Sequence, residues 1–205
     1  MNARRLALLA GAAAFAAETL RQRRNPSPCP YSLRFLLWFP RPFIGRTALL
    51  ELLEPQPGER VLELGPGTGA HAAFAVAEAL RPGGTLAALD IQPEMIEALE
   101  RGARERGIDN IEARTGDATA LPYENESFDA AYLVTVLGEV PDQAAALREL
   151  RRVLRPGGRA VFGETVLDPH VVGLGSLRER AETAWLRFDA STGVPAIGYL
   201  ARFVR

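Results

Sequence analysis

The chain has 205 residues, 47% of them hydrophobic and 24% charged, with a formal net charge of −1. That balance belongs to a folded globular chain of one ordinary domain and excludes a disordered or low-complexity one. All 24 basic residues are arginine, which rules out Schiff-base chemistry and a P-loop lysine; Cys29 is the only cysteine, which rules out a disulfide framework and a cysteine-rich zinc site and fits a reducing compartment.

The small net charge conceals a division. Residues 1–46 hold eight arginines against Glu18 alone, a local charge of +7, while the remainder carries −8. A segment so biased is expected to meet something anionic or apolar. It opens with Arg4-Arg5 and an apolar run from Leu6 to Ala17, within a helix predicted over Arg4–Leu20, and continues into Arg21-Gln22-Arg23-Arg24. A run of that length is too short to cross a bilayer, which needs roughly 20 residues. A signal peptide's apolar region has the same look, but the nucleotide-binding pattern downstream argues for the cytoplasm. Asn25-Pro26-Ser27-Pro28-Cys29-Pro30 lacks backbone donors at alternate positions and is expected to run extended. The aromatic stretch Tyr31–Pro40, with Phe43 and Ile44, is interleaved with Arg34, Arg41 and Arg46. That mixture suits a lid over an apolar pocket or contact with lipid. Residues 1–46 thus form a helical, aromatic extension and residues 47–205 the main domain.

From Arg60 onward, short apolar runs alternate with amphipathic stretches, the pattern of successive βα units and a doubly wound α/β sheet. Strands are predicted at Val61–Leu64, Thr85–Asp90, Ile111–Arg114, Phe128–Val134 and Arg159–Glu164. Helices are predicted at Ala70–Leu80, Pro93–Arg106, Gln143–Leu154 and Leu177–Thr183. Arg-Pro-Gly-Gly occurs at 81–84 and 155–158, each time between helix and strand, where glycine accepts the left-handed cap and proline stops the helix. Two closing apolar stretches, Trp185–Ala190 and Ile197–Val204, read as an antiparallel hairpin turning through Ser191-Thr192-Gly193.

Val61-Leu62-Glu63-Leu64-Gly65-Pro66-Gly67-Thr68-Gly69 sets a glycine turn between a buried strand and a helix, so that backbone amides face an approaching ligand. Taken alone it also fits the dinucleotide fingerprint of a nicotinamide dehydrogenase, with Asp90 where a ribose-binding acid belongs. Further motifs follow in order: Leu89-Asp90-Ile91-Gln92-Pro93-Glu94-Met95, Gly116-Asp117-Ala118, Phe128-Asp129 and Leu154-Arg155-Pro156-Gly157-Gly158. Across roughly residues 50–165 this series resembles the class I S-adenosylmethionine-dependent methyltransferases, in the branch acting on small molecules, lipids and quinones. The resemblance implies a mostly parallel seven-stranded sheet and S-adenosyl-L-methionine as cofactor. It further implies that Gly65, Gly67 and Gly69 line the methionine moiety, and that Glu63 holds its ammonium group. Asp90 would accept both ribose hydroxyls, Ile91 pack on adenine, Asp117 take the adenine amino group and the Ala118 amide meet a ring nitrogen. The plainer role for both aspartates is to cap turns.

Val134–Asp142 follows the fourth strand, where the family sets residues facing the methyl acceptor. Gly138-Glu139 departs from the aromatic or Glu-His pair of many relatives, and Glu139 either serves the methyl acceptor or caps the next helix. Glu164-Thr165-Val166-Leu167-Asp168-Pro169-His170 follows the fifth strand, making His170 the second candidate beside Glu139; as a metal-ligand pattern its spacing is weak, and no metal is expected. His71, in a first helical turn, reads as structural. No Asn/Asp-Pro-Pro-aromatic tetrapeptide and no aromatic-basic motif is present, so nucleic acid is not expected as a substrate. The expected partners are a small-molecule or lipid methyl acceptor, a membrane surface touched by the N-terminal segment at the cytoplasmic face, or a second copy of the chain.

Overall fold

The computed structural model describes residues 27–28, 43–68 and 72–205. The helix expected at Arg4–Leu20, most of the proline linker, the Tyr31–Pro40 aromatics, Gly69 and His71 lie outside the described residues. The elements are α1 (Arg46–Leu53), β1 (Arg60–Leu64), α2 (Ala73–Ala79), β2 (Thr85–Asp90), α3 (Pro93–Glu105), β3 (Ile111–Thr115) and β4 (Phe128–Val134), then a 3-10 turn (Leu137–Glu139), α4 (Gln143–Val153), β5 (Leu154–Thr165), α5 (Leu174–Thr183), β6 (Arg187–Val194) and β7 (Gly198–Val204). They build one seven-stranded sheet in the order β3-β2-β1-β4-β5-β7-β6. Strands β1 to β5 are mutually parallel, and β7 lies antiparallel to both β5 and β6. The expected doubly wound sheet with an antiparallel C-terminal hairpin is the observed one.

Strict alternation along the central strands divides the core between the two faces. Leu62, Leu64, Ala131, Leu133, Ala160 and Phe162 pack with Leu147 and Leu150 of α4 and Leu177 of α5. Val61, Leu86, Ala88, Tyr132 and Val161 face Leu49 and Leu53 of α1, Val76 of α2 and Leu99 of α3. Both Arg-Pro-Gly-Gly runs place a glycine in the left-handed region, Gly83 at φ +81° and Gly157 at φ +78°, but neither glycine caps a helix: α2 ends on Leu80, and the second run lies inside β5 after α4 has ended on the extended Leu154. An all-arginine complement gives the fold forked clamps where single ammonium groups would make fewer contacts. Arg159 reaches the Leu53 carbonyl at 2.9 Å and the Glu59 carboxylate at 2.7 Å, fixing α1 to the strand edge. Arg152 holds the Leu121 and Tyr123 carbonyls at 2.9 and 2.8 Å.

The tail differs from the sequence expectation. Ser191, Thr192 and Gly193 are strand residues, and the chain reverses at Val194-Pro195-Ala196-Ile197, closed by Ile197 N–H donating to the Val194 carbonyl at 2.8 Å. Proline is the better turn residue because its φ is already set and it has no donor to lose. Trp185, expected to begin a strand, is a turn residue at φ +62° and 80% exposed; β6 starts two residues later. Helix α5 begins at Leu174, a turn earlier than expected, and the chain passes from α4 straight into β5 at Leu154.

Phe203 of β7 is fully buried, with Phe162 and Phe188 edge-on at centroid distances of 5.4 and 5.6 Å. This cluster seals the hairpin to the parallel sheet. Phe203→Ala is expected to lower unfolding free energy by about 3–5 kcal/mol, read by urea denaturation.

Candidate functional site

In an open parallel sheet a crevice forms outside the carboxyl ends of the strands where successive connections diverge to opposite sides. Here that point lies between β1 and β4, and the glycine turn leaves β1 directly at it. Gly65 and Gly67 have φ +66° and +56°, a region costly for residues with a Cβ. Gly65 N–H donates to the Leu89 carbonyl at 2.8 Å, tying the turn to β2, and a Cβ at Gly65 would run into the Val136 side chain.

Three acidic or polar groups converge on this turn. Asp90, at the end of β2, is 8% exposed and accepts the Gly67 N–H at 3.3 Å and the Gln92 N–H at 3.0 Å. Burial raises its pKa above the usual carboxylate value, against the pull of those backbone donors. Glu63, in β1, is 5% exposed; burial pushes its carboxyl up to about 8, and the Asp90 charge adds to the rise. Tyr132, its lateral partner in β4, acts in the opposite direction, although its hydroxyl stops short of a hydrogen bond. Glu63 Oε2, Tyr132 Oη and Thr68 Oγ1 are buried without hydrogen-bond partners among the described residues. Thr68 was not among the sequence candidates; a threonine inside a glycine turn carries no signal until its hydroxyl proves buried and unpaired. Beside Asp90, Ile91 leaves 52% of its surface exposed, a flat apolar surface next to a polar one.

After β3, Asp117 Oδ1 accepts the backbone N–H and the hydroxyl of Thr119, each at 2.8 Å. Both aspartates therefore do the capping work, and in each a carboxylate offers further acceptor capacity. After β4, Thr135 sits at φ +56°, unusual for a β-branched residue. The chain then makes the 3-10 turn that carries Glu139. Helix α4 is capped by Asp142, whose Oδ1 accepts Ala145 N–H at 2.9 Å, so the capping role considered for Glu139 belongs to Asp142. Gly138 also finds its reason: a Cβ there would overlap the His170 carbonyl oxygen, so a side chain in that position excludes this path of the loop after β5.

Glu164, at the end of β5, is 2% exposed and accepts Val172 N–H at 3.2 Å. Burial pushes its carboxyl up to about 8, with Asp168 and Glu139 adding to the rise. Tyr199 donates to the Val172 carbonyl at 2.6 Å and locks the same loop. His170 does not overhang the edge: its side chain is 7% exposed, with Nδ1 3.7 Å from Asp168 Oδ1 and Nε2 lacking a partner among the described residues. No group of three potential metal ligands occurs among the described residues.

A glycine cradle, an unpaired buried carboxyl beneath it, a carboxylate at the end of the neighbouring strand and an exposed apolar residue beside that acid suit a nucleoside carrying a cationic amino-acid tail. The comparisons agree. Residues 62–162 match the family model described as a methyltransferase domain. The demethylmenaquinone methyltransferase of Geobacillus kaustophilus is 35% identical over 127 residues, 62% of this chain and 54% of that protein. The nocamycin O-methyltransferase of Saccharothrix syringae is 37% identical over 143 residues, 70% of this chain and 48% of that one. The chain thus spans about half the length of these curated relatives. A SAM-dependent methyltransferase from Aquifex aeolicus superposes with a TM-score of 0.73 at 18% identity, over 86% of this chain and 99% of that one. Residues 62–162 thus match a methyltransferase domain, set on the fold of an S-adenosylmethionine-dependent methyltransferase, and these likenesses imply S-adenosylmethionine as the cofactor. The nicotinamide oxidoreductase reading of the glycine turn finds no support in these relatives.

The two raised carboxyls set a pH dependence. Their folded pKa values exceed the ordinary glutamate value of about 4.3, so the folded chain holds more protons than the unfolded one between there and about 8. Their stabilising contribution is fully present below that window and is lost as pH rises through it. The ligand-free melting temperature is expected to fall from about pH 5 to about pH 8.5, and Glu164→Gln to flatten the slope. An unchanged slope in the variant would remove Glu164 as a source.

Proposed function

We propose that the protein transfers the methyl group of S-adenosylmethionine to a small, lipophilic acceptor. The observation that carries this reading is the convergence of Glu63, the Gly65–Gly67 turn and Asp90 at the point where the sheet's connections diverge. When bound, the cofactor would supply an electrophilic methyl group on a sulfonium, held over the Gly65–Gly67 turn by Glu63 and Asp90, with the sulfur keeping the electron pair as leaving group and the acceptor's proton passing to solvent or a carboxylate.

The chain's own residues bind, orient and exclude water. On this reading the buried Glu63 carboxyl takes the ammonium group, with Gly65, Gly67 and Gly69 along the methionine chain and the Thr68 hydroxyl within reach of its carboxylate. Asp90 accepts the ribose hydroxyls, Ile91 covers an adenine face, and Asp117 with the Ala118 amide reads the adenine edge. Glu139, on the turn after β4, faces the methyl acceptor. His170, being buried, acts as a positioning residue for the loop that closes this side.

A lipophilic acceptor is supported by the rim of the same edge. Val166, Leu167, Val194 and Ile197 are 40–67% exposed, and Val166 N–H donates to the Ile197 carbonyl, which joins the post-β5 loop to the hairpin tip. No charged residue occurs from Ala190 to Ala201. Phe43, which follows the basic N-terminal segment in sequence, lies against Gly193 beside this tip. A polybasic segment adjoining an uncharged apolar tip suits the surface of an anionic bilayer, where each arginine contributes about 1 kcal/mol. Among the described residues no helix is long and apolar enough to cross a membrane. Packing of the same segment on a second copy is the competing reading, and analytical ultracentrifugation separates the two.

Calorimetric titration with S-adenosylhomocysteine is expected to give micromolar affinity, weakened at least about tenfold in Asp90→Ala, the loss of one charge-assisted hydrogen bond or more. No binding by the wild type would overturn the proposal. At pH 7 the ligand-free Glu63 carboxyl is largely protonated, and an ammonium group beside it favours the ionised form. Binding is therefore expected to release protons, seen as a dependence of the measured heat on buffer ionisation enthalpy that Glu63→Gln abolishes. Co-sedimentation with anionic vesicles is expected for the wild type and to drop severalfold when Arg21, Arg23 and Arg24 are all changed to Gln; equal recovery of both proteins would count against membrane contact through this segment.

A further inference from the structure

The register of the parallel strands fixes what surrounds Glu63 on its face of the sheet. Along β1, Val61 precedes it and the glycine turn follows it. Across the sheet its lateral neighbours are Ala88 of β2 and Tyr132 of β4. The diagonal positions add aliphatic residues and Asp90, a second acid whose carboxylate is already held by the Gly67 and Gln92 amides. Of these sheet positions, Tyr132 is the only one with a side-chain hydrogen-bond donor.

Tyr132 is fully buried and Glu63 nearly so, and the Tyr132 hydroxyl and Glu63 Oε2 both lack hydrogen-bond partners among the described residues. A position that needed only bulk would be served better by phenylalanine, since a buried hydroxyl without a partner is destabilising. The two groups stand on adjacent strands and on one face, one able to donate and the other to accept, yet the bond between them is not closed. Burial keeps the Glu63 carboxyl protonated up to about 8 and pushes the Tyr132 phenol well above its usual value, so at pH 7 both are neutral in the ligand-free chain and Tyr132 remains a donor. A neutral carboxyl tolerates the open pair. A carboxylate does not, because a buried charge is stable only when it is both paired and further hydrogen-bonded. An ammonium group at one oxygen leaves the other to be satisfied by the protein.

We infer that Tyr132 is a positioning residue for Glu63: its hydroxyl donates to the carboxylate that forms when a ligand's ammonium group arrives, holding one oxygen so that the other meets the ligand. Tyr132 acts through Glu63 and touches neither cofactor nor methyl acceptor. The inference rests on the proposed role of Glu63 as the ammonium-binding acid. It makes the site selective for an adenosine thioether with a cationic tail over one without.

S-adenosylhomocysteine and 5′-methylthioadenosine share the adenosine thioether, and only the first carries the ammonium-bearing tail. Both are titrated by calorimetry into the wild type, Tyr132→Phe and Glu63→Gln from pH 6 to pH 9. Tyr132→Phe removes one oxygen and no bulk, and its ligand-free melting temperature is expected to be no lower than that of the wild type. The variant is expected to weaken S-adenosylhomocysteine about fivefold or more at pH 7 and 5′-methylthioadenosine less than about twofold, the loss of one charge-assisted hydrogen bond. The titratable groups facing Glu63 among the described residues are Tyr132, which favours its carboxylate, and Asp90, which opposes it. Proton release on S-adenosylhomocysteine binding falls to half where the free carboxyl is half ionised, about pH 8 in the wild type, and without the Tyr132 donor this midpoint moves to higher pH. An unchanged midpoint, or equal weakening of both ligands, overturns the inference. Binding that Glu63→Gln weakens and Tyr132→Phe does not sinks this inference alone. Binding without proton release and untouched by Glu63→Gln sinks the ammonium role of Glu63 and this inference with it, and no binding by the wild type sinks the methyl-transfer reading as well.

Discussion

The divergence of chain connections at β1 and β4 is the constraint on which the rest of this structure depends. Because β2 and β3 extend the sheet to one side of β1 while β4 and β5 extend it to the other, no crossover covers the carboxyl end of β1. The glycine turn fills that gap with backbone alone. Glu63 and Asp90, placed on neighbouring strands and on the same face, are drawn into a low-dielectric environment with few partners, and their raised proton affinity follows from that position. The unpaired Glu63 oxygen is destabilising in isolation and becomes useful opposite a cation, as expected where a fold retains strain or desolvation for binding.

The methyl-acceptor side is built on a different principle. Its residues come from the ends of β4 and β5 and from the hairpin, and they are fixed by loop packing more than by strand register. Gly138 lets the loop after β5 cross close above the 3-10 turn, Tyr199 and Glu164 hold that loop at Val172, and Val166 joins it to the hairpin tip. This side therefore combines an exposed apolar rim with buried ionisable groups a few residues away. A methyl acceptor with an apolar body and one polar or acidic group matches that combination. Methyl transfer from a sulfonium needs alignment and dryness more than a dedicated base, which is why such an arrangement can serve without a strongly placed catalytic side chain.

The arginine-only composition ties stability to function. Arg152, Arg159 and Arg202 each gather backbone carbonyls together with a carboxylate, closing loops and helix ends at the edge opposite the glycine turn. Arginine performs this better than lysine because its planar fork satisfies several acceptors at once and stays charged.

The sequence by itself determined the central strands, the order of the βα units, the left-handed glycines at 83 and 157 and the candidate acids at the ends of β1 and β2, because each is written in local periodicity or in a turn that only glycine or proline satisfies. It also determined the family, since several short motifs in fixed order constrain far more than one glycine loop. Only the tertiary structure decided that the hairpin turns at Pro195, that Asp142 and not Glu139 caps α4, that Gly138 makes room for the His170 backbone, and that Glu164, the Thr68 hydroxyl and the His170 side chain are buried. Those facts depend on which segments meet across the fold, and partners distant in sequence leave no periodic trace. Burial and hydrogen-bond satisfaction are properties of the packed chain, and it is these that separate a polar loop residue from a candidate ligand.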